Sequence, residues 1–174
     1  MALILSGDTG PSFNQSAAMP VGSVLQVVNV IKTDTFASSA TGAWTDITGL
    51  TVSITPKFNT SKIFVMATVY GSSRFNSSVR MVRDSTAIFV GNAGGSRPQV
   101  STSSFYTYVD ANISSVQPIN GLDSPATTSA TTYKIQFWQV GGGASFTCNR
   151  SQNDSDNTDT GRGVSTITLM EIAA

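Results

Sequence analysis

Almost all the side chains here that could do chemistry are aspartates. Asp154, Asp156 and Asp159 stand in the run D-S-D-N-T-D-T-G. Such an oxygen-rich loop suits a hard cation like calcium, but the spacing departs from the 1-3-5 alternation of an EF-hand and no glutamate closes it. A loop of Asx turns is the first expectation and a bound cation the weaker alternative. Asp110 and Asp123 are the conceivable two-carboxylate pair of a glycosidase; the plainer reading makes them a solvated strand edge and a turn residue. Glu171, the single glutamate, is expected to point outward from the last strand. The absence of histidine removes Ser-His-Asp and Cys-His nucleophiles and every imidazole metal site. No lysine follows a serine at the Ser-x-x-Lys spacing, and Gly141-Gly142-Gly143 opens no helix that would make a phosphate loop. The lone Cys148 excludes an intrachain disulfide and is expected to serve as a small core hydrophobe. These residues predict no catalytic centre, no cofactor and no metal.

The elements that would carry these residues read as strands. From Leu122 to Val140, Asp123-Ser124-Pro125 makes a chain reversal, because proline fixes its own φ and pushes the preceding residue into an extended shape. Tyr133, Ile135 and Phe137 then alternate with Lys134 and Gln136, the period of a strand with one face buried and one wet. The same grammar recurs. Val24 to Ile31 is a strongly apolar strand expected to be well buried. Trp44 to Ile47 and Leu50 to Thr55 are expected as two strands separated at Gly49. Lys62 to Tyr70 is the most apolar strand and is expected to be central. Val79 to Val82 and Thr86 to Val90 form a hairpin around Arg83-Asp84-Ser85. Residues 91 to 98 make a flexible loop, and Ser104 to Ile113 is strand-like. Ala144 to Asn149 is expected to return as the hairpin partner of the Tyr133 strand, and Val164 to Ile172 closes the chain. About nine or ten strands with no helix predict an all-β, antiparallel β-sandwich, a jelly roll first among them.

Residues 1 to 22 differ from the rest. One apolar run is followed by Gly, Ser, Asp, Pro and Asn, so this stretch reads as an arm ahead of a domain spanning 23 to 174. Leu3, Ile4, Leu5 and Phe13 are costly to leave in water and favour an arm that orders against a partner.

Of the 174 residues, 40% are hydrophobic and only 11% charged, against about 25% in ordinary soluble domains. Serine and threonine, roughly a quarter of the chain, take over solubility. Ten basic and ten acidic residues cancel, leaving no basic footprint for nucleic acid. Arg74, Arg80 and Arg83 come nearest to one, with Asp84 beside them. No apolar stretch approaches the ~20 residues of a membrane helix, and Ala2 to Leu5 is too short for a signal-peptide core. Neither a nucleic acid nor a membrane is expected as a partner.

The wording of several segments carries a resemblance. GSVLQVV at Gly22, WTDITGLTVSITP at Trp44, NTSKIFV at Asn59, MVRDSTAIFVG at Met81, LDSPATTSATTYKIQFW at Leu122 and STITLMEI at Ser165 resemble a β-rich virion module of tailed bacteriophages, notably those of cyanobacteria and other aquatic hosts. The resemblance covers nearly everything after residue 20. It implies a non-enzymatic part of the phage particle, commonly trimeric and often at the distal end of a fibre. No shaft, coiled coil or collagen-like repeat precedes the domain, and an arm of about twenty residues reaches at most ~70 Å. The expectation is therefore a capsid decoration or cement protein on the virion surface, a homotrimer bound through its arm to the major capsid protein or another virion protein. The alternative is a tail fibre or tail-tip protein whose loops at 91–101 and 151–163 contact a host-surface glycan or receptor. A secreted carbohydrate-binding module is a third reading, disfavoured by the want of a signal peptide and of disulfides.

Overall fold

The structure is a computed structural model that describes residues 19–103, 105–106, 110–141, 143 and 145–174. The arm residues Leu3, Ile4, Leu5 and Phe13 lie outside the described residues.

The described residues form strands and no helix. In chain order the strands are β1 (Val24–Lys32), β2 (Phe36–Ser38), β3 (Thr45–Ile54), β4 (Lys62–Ser73), β5 (Ser77–Arg83), β6 (Thr86–Ile88), β7 (Thr102–Ser103), β8 (Ser115–Asp123), β9 (Thr131–Gln139), β10 (Phe146–Cys148) and β11 (Ser165–Ile172). They build a six-stranded and a five-stranded antiparallel sheet.

Several of the short strands are pieces of longer rows. β10 runs along β4 from Ser73 to Gly71, and β11 continues along the same side of β4 from Thr68 to Lys62. On their far side β2 pairs with β10 and β1 with β11. β6 and β7 likewise share the side of β5 opposite β9. Counting β1/β2, β6/β7 and β10/β11 as one row each gives eight rows. Numbered in chain order, one sheet is ordered 1-8-3-6 and the other 2-7-4-5. That is the order of an eight-strand jelly roll.

The alternation predicted for β9 is present, and β4 and β11 share it, with every second residue buried through most of each strand. Their inward side chains meet in one core that includes Ile63, Val65, Val69, Ile135, Ile167 and Leu169. Each large apolar side chain buried there contributes about 1.5–3 kcal/mol. At one end aromatic rings bind sheet to sheet: Phe137 of β9 stacks on Phe146 of β10 at 4.7 Å, and Phe105 meets Phe146 edge-on at 5.2 Å.

Four expectations are corrected. β1 is an edge row, so Val27 and Ile31 are exposed rather than well buried. The two strands expected around Gly49 are one strand, β3, whose register shifts between Asp46 and Thr51; Gly49, at φ 88°, supplies the left-handed residue of that bulge. β10 does not return along β9. It lies in the other sheet, where it joins β4 and β2. Finally, the strand after β7 is Ser115–Asp123, where no strand was expected. Of the expected strand Ser104–Ile113, residues 104 and 107–109 lie outside the described residues, Phe105 is buried, and Tyr106 bridges Ser73.

Candidate functional site

Among the candidate carboxylates, Asp123, Glu171 and Asp154 are engaged in holding the fold. Asp123 ends β8 facing inward. Arg83 Nη1 donates to its Oδ1 at 2.8 Å and to Oδ2 at 2.9 Å, and the Tyr133 hydroxyl donates to Oδ2 at 2.7 Å. Burial pushes the Tyr133 phenol well above its ordinary range and the neighbouring Asp123 carboxylate adds to the shift, so the phenol stays a donor. Asp110 is exposed and accepts from Asn112 N at 2.8 Å. It precedes β8, whereas Asp123 ends it. The eight residue steps of that strand cover roughly 26 Å, against ~5–10 Å between glycosidase carboxyls. The two aspartates are not brought together.

Glu171 is fully buried, not outward. Its Oε1 accepts from Lys57 N and Ser61 Oγ, each at 2.7 Å, and its Oε2 accepts from Gln26 Nε2 at 2.5 Å. The carboxylate pins the turn between β3 and β4 to β11. The parity of the strand held the signal, since Glu171 falls in step with the inward Ile167 and Leu169.

In the acidic loop, Arg162 Nε and Nη2 donate to the two oxygens of Asp154 at 3.1 and 3.0 Å, and Arg150 approaches at 3.8 Å. Asp159 N donates to Asn157 Oδ1 at 3.0 Å, an Asx turn. Asp156 is exposed. No group of three His, Cys, Asp or Glu among the described residues is arranged to hold a metal. Cys148 faces the core beside Ser165 Oγ at 3.3 Å, and burial raises its thiol pKa.

The two loops named in the sequence are tied at their bases. Gly91 N donates to Val100 O at 3.2 Å and Gln99 Nε2 to Gly91 O at 2.8 Å, so residues 91 to 100 close on themselves. The β10–β11 excursion is held by Asn149. Its Nδ2 donates to Lys32 O and Asp34 O at 2.8 and 2.9 Å, and its Oδ1 accepts from Ser165 Oγ at 2.6 Å.

With the polar groups so engaged, the outer faces of the two sheets are what remains for recognition, and they differ in chemistry. On the β3-β9-β5 sheet the outward side chains include a mutually satisfied ionic set, with Val82 and Trp138 beside it. Lys134 Nζ donates to Asp46 Oδ2 at 2.7 Å, Gln136 bridges Asp46 and Arg80, and the Arg80 guanidinium lies 4.1 Å over the Trp44 ring. On the other sheet the register sets Val27, Met170, Phe64 and Leu122 in one row across all four strands. Two residues further along comes Asn29-Thr168-Met66-Asn120, and then Ile31-Thr166-Thr68-Pro118. Lys62 stands at the margin of this face and donates to Ser124 Oγ; the rows themselves carry no charge. Of the exposed large apolar side chains among the described residues, Val24, Val27, Ile31, Val116 and Leu122 stand on strands of this sheet and none on strands of the other.

The chain enters beside this face. Gly22 N donates to Ala173 O at 2.8 Å and Ala173 N to Ser23 O at 2.9 Å. Met19, Val21 and Phe58 line a hollow there with the last two residues, Ala173 and Ala174. No helix among the described residues is long and apolar enough to cross a membrane.

No protein-family model and no curated protein sequence matches the chain. Among solved structures it is similar to the VP2 subviral particle of infectious bursal disease virus, with 14% identity and a TM-score of 0.43 over 99% of this chain and 37% of that chain. It is also similar to the structure of the infectious bursal disease virus Gx strain, with 15% identity and a TM-score of 0.39 over 100% of this chain and 42% of that chain. The chain thus spans about two fifths of the length of these solved chains.

Proposed function

We propose that this chain is a non-enzymatic structural protein of a bacteriophage particle. It acts as a capsid decoration protein, a homotrimer seated outside the head and held there by residues 1 to 22. Leu3, Ile4, Leu5 and Phe13 are the anchoring side chains and the major capsid protein is the partner. The observation that carries this reading is the jelly-roll strand order, an architecture used for shells and for binding heads, in a molecule whose buried carboxylates Asp123 and Glu171 are both spent on its own scaffold. The resemblance of the chain's segments to tailed-phage virion modules supports the same class. The arm emerges at Gly22, against the end of β11, so it can lie along a surface while the sandwich stands above it. Many copies on a symmetric shell would add weak contacts through avidity.

The test is a deletion of residues 2–13, followed by co-sedimentation with heads. Decoration should fall while the truncated protein keeps its β-rich circular dichroism. Undiminished decoration would remove the arm from the account. Copy number per particle tests the location: hundreds supports the shell, whereas a few or a few tens supports a tail-fibre or tail-tip protein.

A further inference from the structure

We infer that the outer face of the β1-β11-β4-β8 sheet is a self-association surface, and that its occupant is a second copy of this chain. The inference does not need the virion reading: a face that meets the same face of a second copy closes a two-fold dimer, a contact separate from the trimer of that reading.

The first ground is charge. Ion pairs and a cation–π contact organise the opposite face, whereas the three rows of this face carry no charge; Lys62, bonded to Ser124, stands at one margin, and the Arg162–Asp154 pair belongs to the loop that lies on Tyr70 at the other. Two copies of an uncharged surface can meet without taking ions out of water, whereas closing the opposite face would bury Lys134, Arg80 and Asp46.

The second ground is where the exposed apolar groups stand. Val27 and Ile31 are 54% and 57% exposed on one edge strand, and Val116 and Leu122 are each 56% exposed on the other. Phe64, Met66 and Met170 between them are already partly covered by their neighbours. The unburied apolar area thus lies along both margins of the same face, on the edge strands β1 and β8. Long apolar edges left in water are liabilities that proteins ordinarily blunt with charge, and none stands in these rows.

The third ground is extent. Four rows about 4.8 Å apart and strands of ~26 Å give a flat footprint of roughly 500 Å². That is of the same order as the ~800 Å² that a standard specific interface removes from each partner.

The test is the mass of the purified full-length chain by analytical ultracentrifugation over a hundredfold range of concentration. The chain should run as an oligomer. The double variant Val27→Glu/Leu122→Glu should weaken association at least a hundredfold and run at single-chain mass, with unchanged circular dichroism. Thr51→Glu, which adds one such charge to the opposite sheet, should leave the oligomer intact. Should the double variant misfold, Ile31→Glu alone carries the same expectation. A monomeric parent chain, or a folded double variant with undiminished association, would overturn the inference. Loss of the oligomer on deleting residues 2–13 would also overturn it, by making the arm the adhesive element. An oligomer that closes through this face yet is absent from particles would remove the virion reading and leave this inference standing.

Discussion

Tyr133 on one sheet donates its hydroxyl to Asp123 on the other at 2.7 Å, and Arg83 completes the carboxylate's shell. This tie sits at one end of the sandwich and makes stability depend on alkaline pH. Burial raises the folded-state pKa of Tyr133 above its ordinary value of 10.0. A raised pKa means the contribution is complete below the unfolded value and is lost as pH climbs above it. Unfolding free energy should therefore fall above about pH 10, by up to ~1.4 kcal/mol per pH unit from this group. Tyr133→Phe should remove that component and cost about 1–2 kcal/mol at neutral pH. Urea titrations of both proteins from pH 7 to 11 measure it; an identical alkaline slope in the variant would refute the assignment.

Glu171 gives a contrast between two substitutions. Glu171→Leu keeps an apolar volume but strands the Lys57 N–H and the Ser61 hydroxyl without their acceptor, and should cost about 2–4 kcal/mol. Glu171→Gln retains an acceptor oxygen for both and should cost about 1 kcal/mol. Equal losses for the two variants in chemical denaturation would show that the acceptor is not what matters.

Gly121 lies on β8 under the ring of Phe89, which occupies the left-handed region at φ 54°. A Cβ added at residue 121 would stand 2.5 Å from Phe89 Cε1. Gly121→Ala should therefore destabilise the fold by about 1–3 kcal/mol through overpacking. Combining it with Phe89→Ala should give a loss smaller than the sum of the two single losses, a coupling that a double-mutant cycle reads directly.

Cys148 is buried with its thiol pKa raised, and the thiolate is the reactive form. A thiol reagent at pH 8 should leave the native protein almost unlabelled and take one equivalent in denaturant. Rapid native labelling would contradict the burial.

How much of this was legible in the residues depended on whether periodicity or pairing was at stake. Tyr133, Ile135 and Phe137 announced β9, because a period of two needs no partner to be recognised. β8 stayed hidden because Pro118 and Gly121 argue against a central strand. As an edge row β8 tolerates both, and Phe89 takes the space the glycine leaves. The Gly141–Gly143 span looked like a hairpin turn; nothing in three glycines says whether the chain returns along its own sheet or crosses to the other. Glu171 was misjudged from its charge although its parity pointed inward. The candidate surface was half visible. Val24 to Ile31 and Lys62 to Tyr70 are apolar at both parities, which reads equally as burial within the chain or burial by a partner, and only the register separated the outward Val27 and Phe64 from the inward Val28 and Val65.

The split of the last row into β10 and β11 has an evolutionary consequence. Both halves are seated along β4, and the chain between them is stitched back to the body near its start, where Gln152 Nε2 donates to Ser72 O at 2.9 Å, and near its end, where Tyr70 donates its hydroxyl to Gly161 O at 3.3 Å. Drift in length and composition is therefore confined to the exposed tip, residues 156 to 159, which can vary while the sandwich beneath it is inherited unchanged.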